Sequence, residues 1–343
     1  MDAKITKKRL GHLLSYDWVK ILVVAVAAVM VWSLVFTMTA TRITTTQRFI
    51  ISNYLGISYG NTKIYGDSYS YEIMEGEVVD NLRGGESTFS DLFRGNLEVS
   101  EGDVMMVADA PMSRTAIKDE QGNEVKDADG NVQYEYGETY LNQLLRGYGS
   151  YFTRLDDTEG AKGYFTQMKE YLGRFYRIET ETVKVFNGVS LTQASFDKNS
   201  MDEAAVEAAF RARVQQNKDK RFKTEAQIVD GIAKEKARLV LYVEAYDTFF
   251  RYLDSGYIQP TNVSVKVTDT YTLSGAYGIN LCPSAQSAMK NLKEQVYYTN
   301  LEGTDTAENI HALFLNFQDL DKDFQYENLL YLNALIVDVC TEL

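Results

Sequence analysis

The chain is poor in the residues that usually announce chemistry. It has two histidines, two cysteines and three prolines in 343 residues. His12 lies ahead of a long apolar run and His311 stands alone, so acid–base or metal work has few groups to draw on. No zinc-ligand spacing, G-x-S-x-G, P-loop or strand-linked G-x-G-x-x-G occurs, and no enzymatic activity, cofactor or metal is expected. Scarce proline excludes long Pro-rich linkers. Positive charge is short as well. The first 42 residues carry six Lys or Arg and two Asp, a net +4, so the total of −13 leaves −17 on the remainder. A surface of that sign makes nucleic acid an unexpected partner, because phosphate neutralisation needs clustered Lys and Arg. Disorder is excluded for most of the chain by 45% hydrophobic residues, 24 Tyr and 16 Phe.

What the chain does have is one uncharged run, Ile21 to Thr41, ILVVAVAAVMVWSLVFTMTAT. As a helix it reaches roughly 30 Å, the thickness of a bilayer's hydrocarbon core. A cleaved signal has an apolar region of only about 7–15 residues followed by a small-residue site, and Met38-Thr39-Ala40 is a poor one, so the run reads as an anchor. Lys4, Lys7, Lys8, Arg9 and Lys20 precede it, against Arg42 and Arg48 beyond it. The positive-inside bias then puts residues 1–17 in the cytoplasm, a transmembrane helix at 18–41, and everything from about 42 onward outside the cell membrane.

Beyond the membrane, Gln47 to Tyr54 reads as a strand and Tyr69 to Val79 as a second. Ser87 caps a helix through Phe89, Leu92, Phe93 and Leu97, ended by Gly102-Asp103. Val104 to Ala108 is a short, wholly apolar strand with Asp109 at its end. Two similar units follow, DEQGNEV and DADGNVQ. A calcium loop fails here, because aligning Gly130 with the EF-hand glycine puts Val125 and Tyr136 at ligand positions; tandem hairpin turns fit better. Residues 138–259 read as helical, apart from a strand-like piece at Thr180 to Phe186. Capping boxes are expected at Ser200-Met-Asp-Glu203 and Thr224-Glu-Ala-Gln227, with Gly256 closing the last helix. After Pro260 come an alternating strand at Val263, Val265 and Val267, then Tyr277 to Pro283, and helices at 284–298, 304–317 and 326–339. On the outer side Cys282 and Cys340 either bridge, closing a loop of about 58 residues worth about 4 kcal/mol, or remain two separate buried thiols.

A strand near the membrane exit, SYEIMEGEVV, a helix leading into S-E-G-D-V-M-M-V-A-D, a helical middle, and a return through V-S-V-K-V and Y-G-I-N-L form a pattern. It is similar to the extracellular solute-binding proteins of bacterial ABC importers, the type 2 periplasmic-binding-like superfamily. That resemblance, over residues 47–115 and 260–343, implies an α/β fold after a single transmembrane helix. A discontinuous α/β lobe, 42–137 and 260–343, would frame a mostly helical inserted lobe, 138–259. It departs from the family in having a membrane helix where Gram-positive members commonly carry a lipid-anchored cysteine, and in its helical middle.

Two functions compete. One is capture of a small polar solute, such as carbohydrate, for an ABC permease. Ligands of open α/β sheets lie beyond the carboxyl ends of strands, which nominates Asn53, Tyr54 and Asp109 as ligand-binding. The other is a non-catalytic envelope or transporter accessory scaffold that holds proteins through the aromatic stripe of the helical middle.

Overall fold

A computed structural model describes Gly11 and residues 18–39, 48–59, 77–81, 89–99, 102–316 and 326–342. The chain divides into two units, Met1–Arg42 and Ile43–Leu343. In the first, helix α1 (Trp18–Thr39) runs 22 residues, about 33 Å, with apolar side chains on every side. Among the described residues it alone is long and apolar enough to cross a membrane, and it fits a membrane anchor or a signal sequence.

In the second unit the chain forms β1 (Arg48–Asn53), β2 (Ile57–Tyr59), β3 (Glu77–Asn81), α2 (Phe89–Glu98) and β4 (Val104–Ala108). A short arm holds β5 (Arg114–Ala116) and β6 (Tyr134–Tyr136), followed by α3 (Tyr140–Tyr148) and α4 (Tyr164–Leu172). Then come β7 (Ile178–Phe186), β8 (Val189–Phe196), α5 (Glu203–Asn217) and α6 (Glu225–Asp254). The last elements are β9 (Gln259–Lys266), β10 (Thr272–Asn280), β11 (Val296–Thr299), β12 (Asp305–Thr306), β13 (Ile310–Phe314) and α7 (Glu327–Val339).

Six strands make a mixed sheet in the order β3-β1-β4-β13-β10-β9. The first three run parallel, and β13 enters antiparallel to both β4 and β10. A small sheet, β12-β11-β2, stands beside it. Strands buried on both faces need apolar residues at every position, which is why β4 reads VMMVA without alternation. One face, through Phe49, Ile51, Met106 and Ala312, joins the core built with α4, α6 and α7. The opposite face, through Met105, Val107 and Leu313, packs with Phe93 of α2 and Leu141, Leu144 and Leu145 of α3. The fold is thus mixed α/β with apolar cores on both sides of the main sheet.

Helix α6 has both of its expected ends. Thr224 Oγ1 accepts from Gln227 N while Gln227 Oε1 accepts from Thr224 N, a complete capping box. At the other end Gly256 sits at φ +72°, where a side chain would be strained. Its stripe of Leu239, Val243, Tyr246, Phe250 and Leu253 is buried core.

Several expectations are corrected. The helix expected at 304–317 is not formed over its described part, 304–316, which contains β12 and β13, and His311 lies in a strand. A short, mostly apolar segment such as IHALF satisfies helical and extended periodicities alike, and here the sheet decides. The expected helix at 284–298 is instead a run of turns, a 3-10 turn at Lys290–Glu294 and β11. The Ser200 box is not formed; α5 is capped by Asp202, which accepts from Ala205 N, while the Ser200 hydroxyl donates to Asp197 O. The middle is less helical than expected, because β7 turns back through Asn187-Gly188 into β8. The Ser87 cap and most of the stretch before Glu77 lie outside the described residues.

The arm holds the two turn units as tandem copies eight residues apart. Asp119 Oδ1 accepts from Gln121 N and Asn123 N, and Asp127 Oδ1 accepts from Asp129 N and Asn131 N. Those bonds, led by the one from the asparagine N–H, hold both carboxyls below their ordinary range. Ile117, Val125 and Gln133 close a ring of backbone bonds: Val125 N to Ile117 O, Gln133 N to Val125 O, and Ile117 N to Gln133 O.

Asn187 and Gly188 have φ +47° and +76°, the turn that matches the twist of a two-residue hairpin. Gly188→Ala is expected to lower the unfolding free energy by about 1 kcal/mol, read as a shifted urea midpoint at unchanged slope.

Candidate functional site

The three residues nominated from sequence do not form one site. Asn53 ends β1, opposite Met106, on the face it shares with Phe49 and Ile51. It is fully buried, and neither polar atom of its amide has a hydrogen-bond partner among the described residues. Tyr54 belongs to the opposite face, against Phe93 and Leu141, and its hydroxyl donates to Gln143 Oε1 at 3.0 Å. Burial pushes its pKa up to about 12. Asp109 follows β4, half-buried, with its N–H donating to Asn309 O at 2.8 Å. Nearby on β13, buried His311 has Nδ1 2.8 Å from Asn309 O.

The cysteines are free thiols. Cys282 Sγ lies 3.4 Å from both Ser284 O and Ser287 Oγ, and burial pushes its pKa up, which makes it a poor nucleophile.

A groove of about 700 Å³ lies elsewhere, between the β7–β8 ribbon and α6. Its ribbon wall is made by two cross-strand pairs on one face, Thr180 with Ser195 and Thr182 with Gln193. Thr180 Oγ1 and Ser195 Oγ are 2.7 Å apart, and Gln193 Oε1 is buried without a hydrogen-bond partner among the described residues. The helix wall comes from Glu244, Asp247, Thr248 and Arg251, which three-and-four spacing puts on one side of α6. Lys198 pairs with Asp247 at 3.2 Å, and Arg251 Nη2 donates to Thr248 Oγ1 at 2.7 Å.

The ribbon is held against the helices by several ties. Tyr246 of α6 donates its hydroxyl to Thr192 O at 2.8 Å. Lys169 of α4 reaches Glu181 at 2.7 Å, and Lys184 reaches Asp254 at 2.7 Å. Burial alone would raise the Asp157 carboxyl, but the Gly163 N–H and the Thr166 and Thr192 hydroxyls that it accepts hold it below its usual range. The walls are therefore fixed before any ligand arrives.

Hydroxyls, an amide, carboxylates and cations in one concavity suit recognition of a small polar molecule. Among the described residues no aromatic ring lines the groove. Sequence reasoning missed all of these residues, although Thr180/Thr182 and Gln193/Ser195 alternate on either side of an Asn-Gly pair, a readable hairpin signal. Among the described residues no cluster of three or more His, Cys, Asp or Glu side chains could hold a metal ion.

No family model, no curated protein and no solved structure matches this chain.

Burial lowers the pKa of His311 below its ordinary 6.5, with the Asp109 charge working the other way. The unfolded chain then binds the extra proton, so the contribution is whole above pH 6.5 and drains away as pH falls below it. The melting temperature is expected to drop between pH 7.5 and 5.5, and to drop less in His311→Gln, measured by circular dichroism.

Proposed function

We propose that the protein is a membrane-anchored, extracytoplasmic, non-catalytic solute-binding-like protein. Its Ile43–Leu343 unit captures a small polar solute and presents it to an ABC permease or another envelope partner. The groove carries this reading: its size falls within the 300–1,000 Å³ of ordinary ligand sites, and it is lined by the hydroxyls of Thr180, Thr182, Ser195 and Thr248, the Gln193 side chain and groups of both charges. Support for the compartment comes from the uncharged α1 and its basic leading flank. Resemblance to the periplasmic-binding-like superfamily, carried by the sequence pattern from SYEIMEGEVV through S-E-G-D-V-M-M-V-A-D to V-S-V-K-V and Y-G-I-N-L, is the premise for the transport role.

The runner-up, a scaffold, draws on a different feature. Val183 and Val185 are each 67% exposed on β7, whose outer edge pairs with no strand among the described residues. Such an edge invites strand addition by a protein partner. Crosslinking in intact membranes that finds only monomer would remove it. Its original motive, the aromatic stripe of α6, is buried core and offers no surface.

Thermal shifts with a panel of sugars, amino acids and peptides test capture. At least one class is expected to raise the melting point. The Gln193→Ala, Ser195→Ala double variant is expected to weaken that ligand about tenfold, the worth of about 1.4 kcal/mol of hydrogen bonding. A panel that leaves the melting point unmoved overturns the reading. Protease added to whole cells is expected to digest the acidic unit; an untouched unit would refute the topology.

A further inference from the structure

The charges of the groove are not all spoken for. Lys198 and Asp247 neutralise each other, and among the described residues Arg251 commits only Nη2, to a neutral hydroxyl. Glu244 has no ion pair or hydrogen bond among the described residues. One wall therefore presents an open carboxylate and an open guanidinium, seven residues apart on α6. Two turns of helix separate them by about 10 Å along the axis.

A ligand that satisfies both carries an ammonium and a carboxylate at that separation. An extended peptide advances about 3.3–3.6 Å per residue, so three residues span the interval. A single amino acid is too short, and a neutral sugar leaves both charges unanswered. The facing ribbon suits the same ligand: successive pairs Thr182/Gln193 and Thr180/Ser195 stand about 6.7 Å apart along the strands, the repeat of like-facing groups in an extended backbone. The hydroxyls of Thr180, Thr182 and Ser195 can accept from peptide N–H groups and donate to peptide carbonyls. The absence of an aromatic wall removes the stacking surface that a sugar would use.

Resting on the reading of the groove as the capture site, we propose that its ligand is a short extended peptide with free termini, about three residues long. Its ammonium lies at Glu244 and its carboxylate at Arg251. Because both side chains are exposed, recognition is by charge placement and hydrogen bonds rather than by burial.

Isothermal titration of the full chain in detergent, with trialanine, N-acetyl-trialanine, trialanine amide and maltotriose, tests it. Trialanine is expected to bind, and blocking either terminus to weaken it by about fivefold. Glu244→Gln should abolish the penalty of N-acetylation and leave that of amidation, while Arg251→Gln should do the reverse. Equal affinity for blocked and free peptides, or penalties that persist unchanged in both variants, overturns the peptide assignment. Maltotriose binding without trialanine binding also overturns it but keeps the groove as a capture site. No heat from any of the four, with no shift in the wider panel, removes the capture reading as well.

Discussion

The fold depends on one strand finding its slot. Residues Ile310–Phe314 are wholly buried and pair along their full length with β4, from Ile310 opposite Ala108 to Phe314 opposite Val104, while β10 lies on the other side. Buried backbone groups with no water to turn to must find partners, so the strand is secure only between two neighbours. Both neighbours come from distant parts of the chain, and the register they impose lets Ile310 and Ala312 join one core while Leu313 joins the other. A slip by one residue would exchange those sets and put His311 where Ala312 is packed.

Helix α6 links that core to the groove. Its inner side holds a buried ionic knot: Arg238, fully enclosed, donates to Glu235 Oε1 at 2.6 Å, and Arg213 reaches the same carboxylate at 3.1 Å. Burial alone would raise the Glu235 carboxyl, but the two guanidinium groups hold it low and charged. One turn on, Tyr242 donates to Glu327 Oε1 at 2.8 Å at the start of α7. Removing one member of such a pair strands a charge in the interior, whereas the intact set fixes how the helices meet. The outer side of the same helix carries Glu244, Asp247, Thr248 and Arg251. The helix wall of the groove is thus the back of a rigid core element, and the backbone positions from which its charged side chains extend are fixed by that core.

What could be read in advance follows from how local each signal is. Thr224, Gln227 and Gly256 act within a turn of their own helix, so the ends of α6 were legible. The run Val104 to Ala108 was legible because glycine and acid punctuate it. By contrast β13 could not be told from a helix, since a stretch as short as Ile310–Phe314, apolar but for His311, is decided by the sheet it enters. The groove was illegible for a related reason. Thr180, Thr182, Gln193 and Ser195 become a wall only where α6, some fifty residues later, docks across them, and nothing local marks that docking. Asn53 and Tyr54, adjacent in sequence, were nominated together, yet alternation sends neighbours to opposite faces of a sheet.

The arm of tandem Asp-x-x-Gly-Asn turns closes its hydrogen bonds upon itself, each copy satisfied by its own aspartate and by the copy beside it. Such a module can gain or shed a whole repeat without disturbing the register of any strand in the main sheet. It is a natural place for length to vary in evolution, and for an epitope or fluorophore to be grafted.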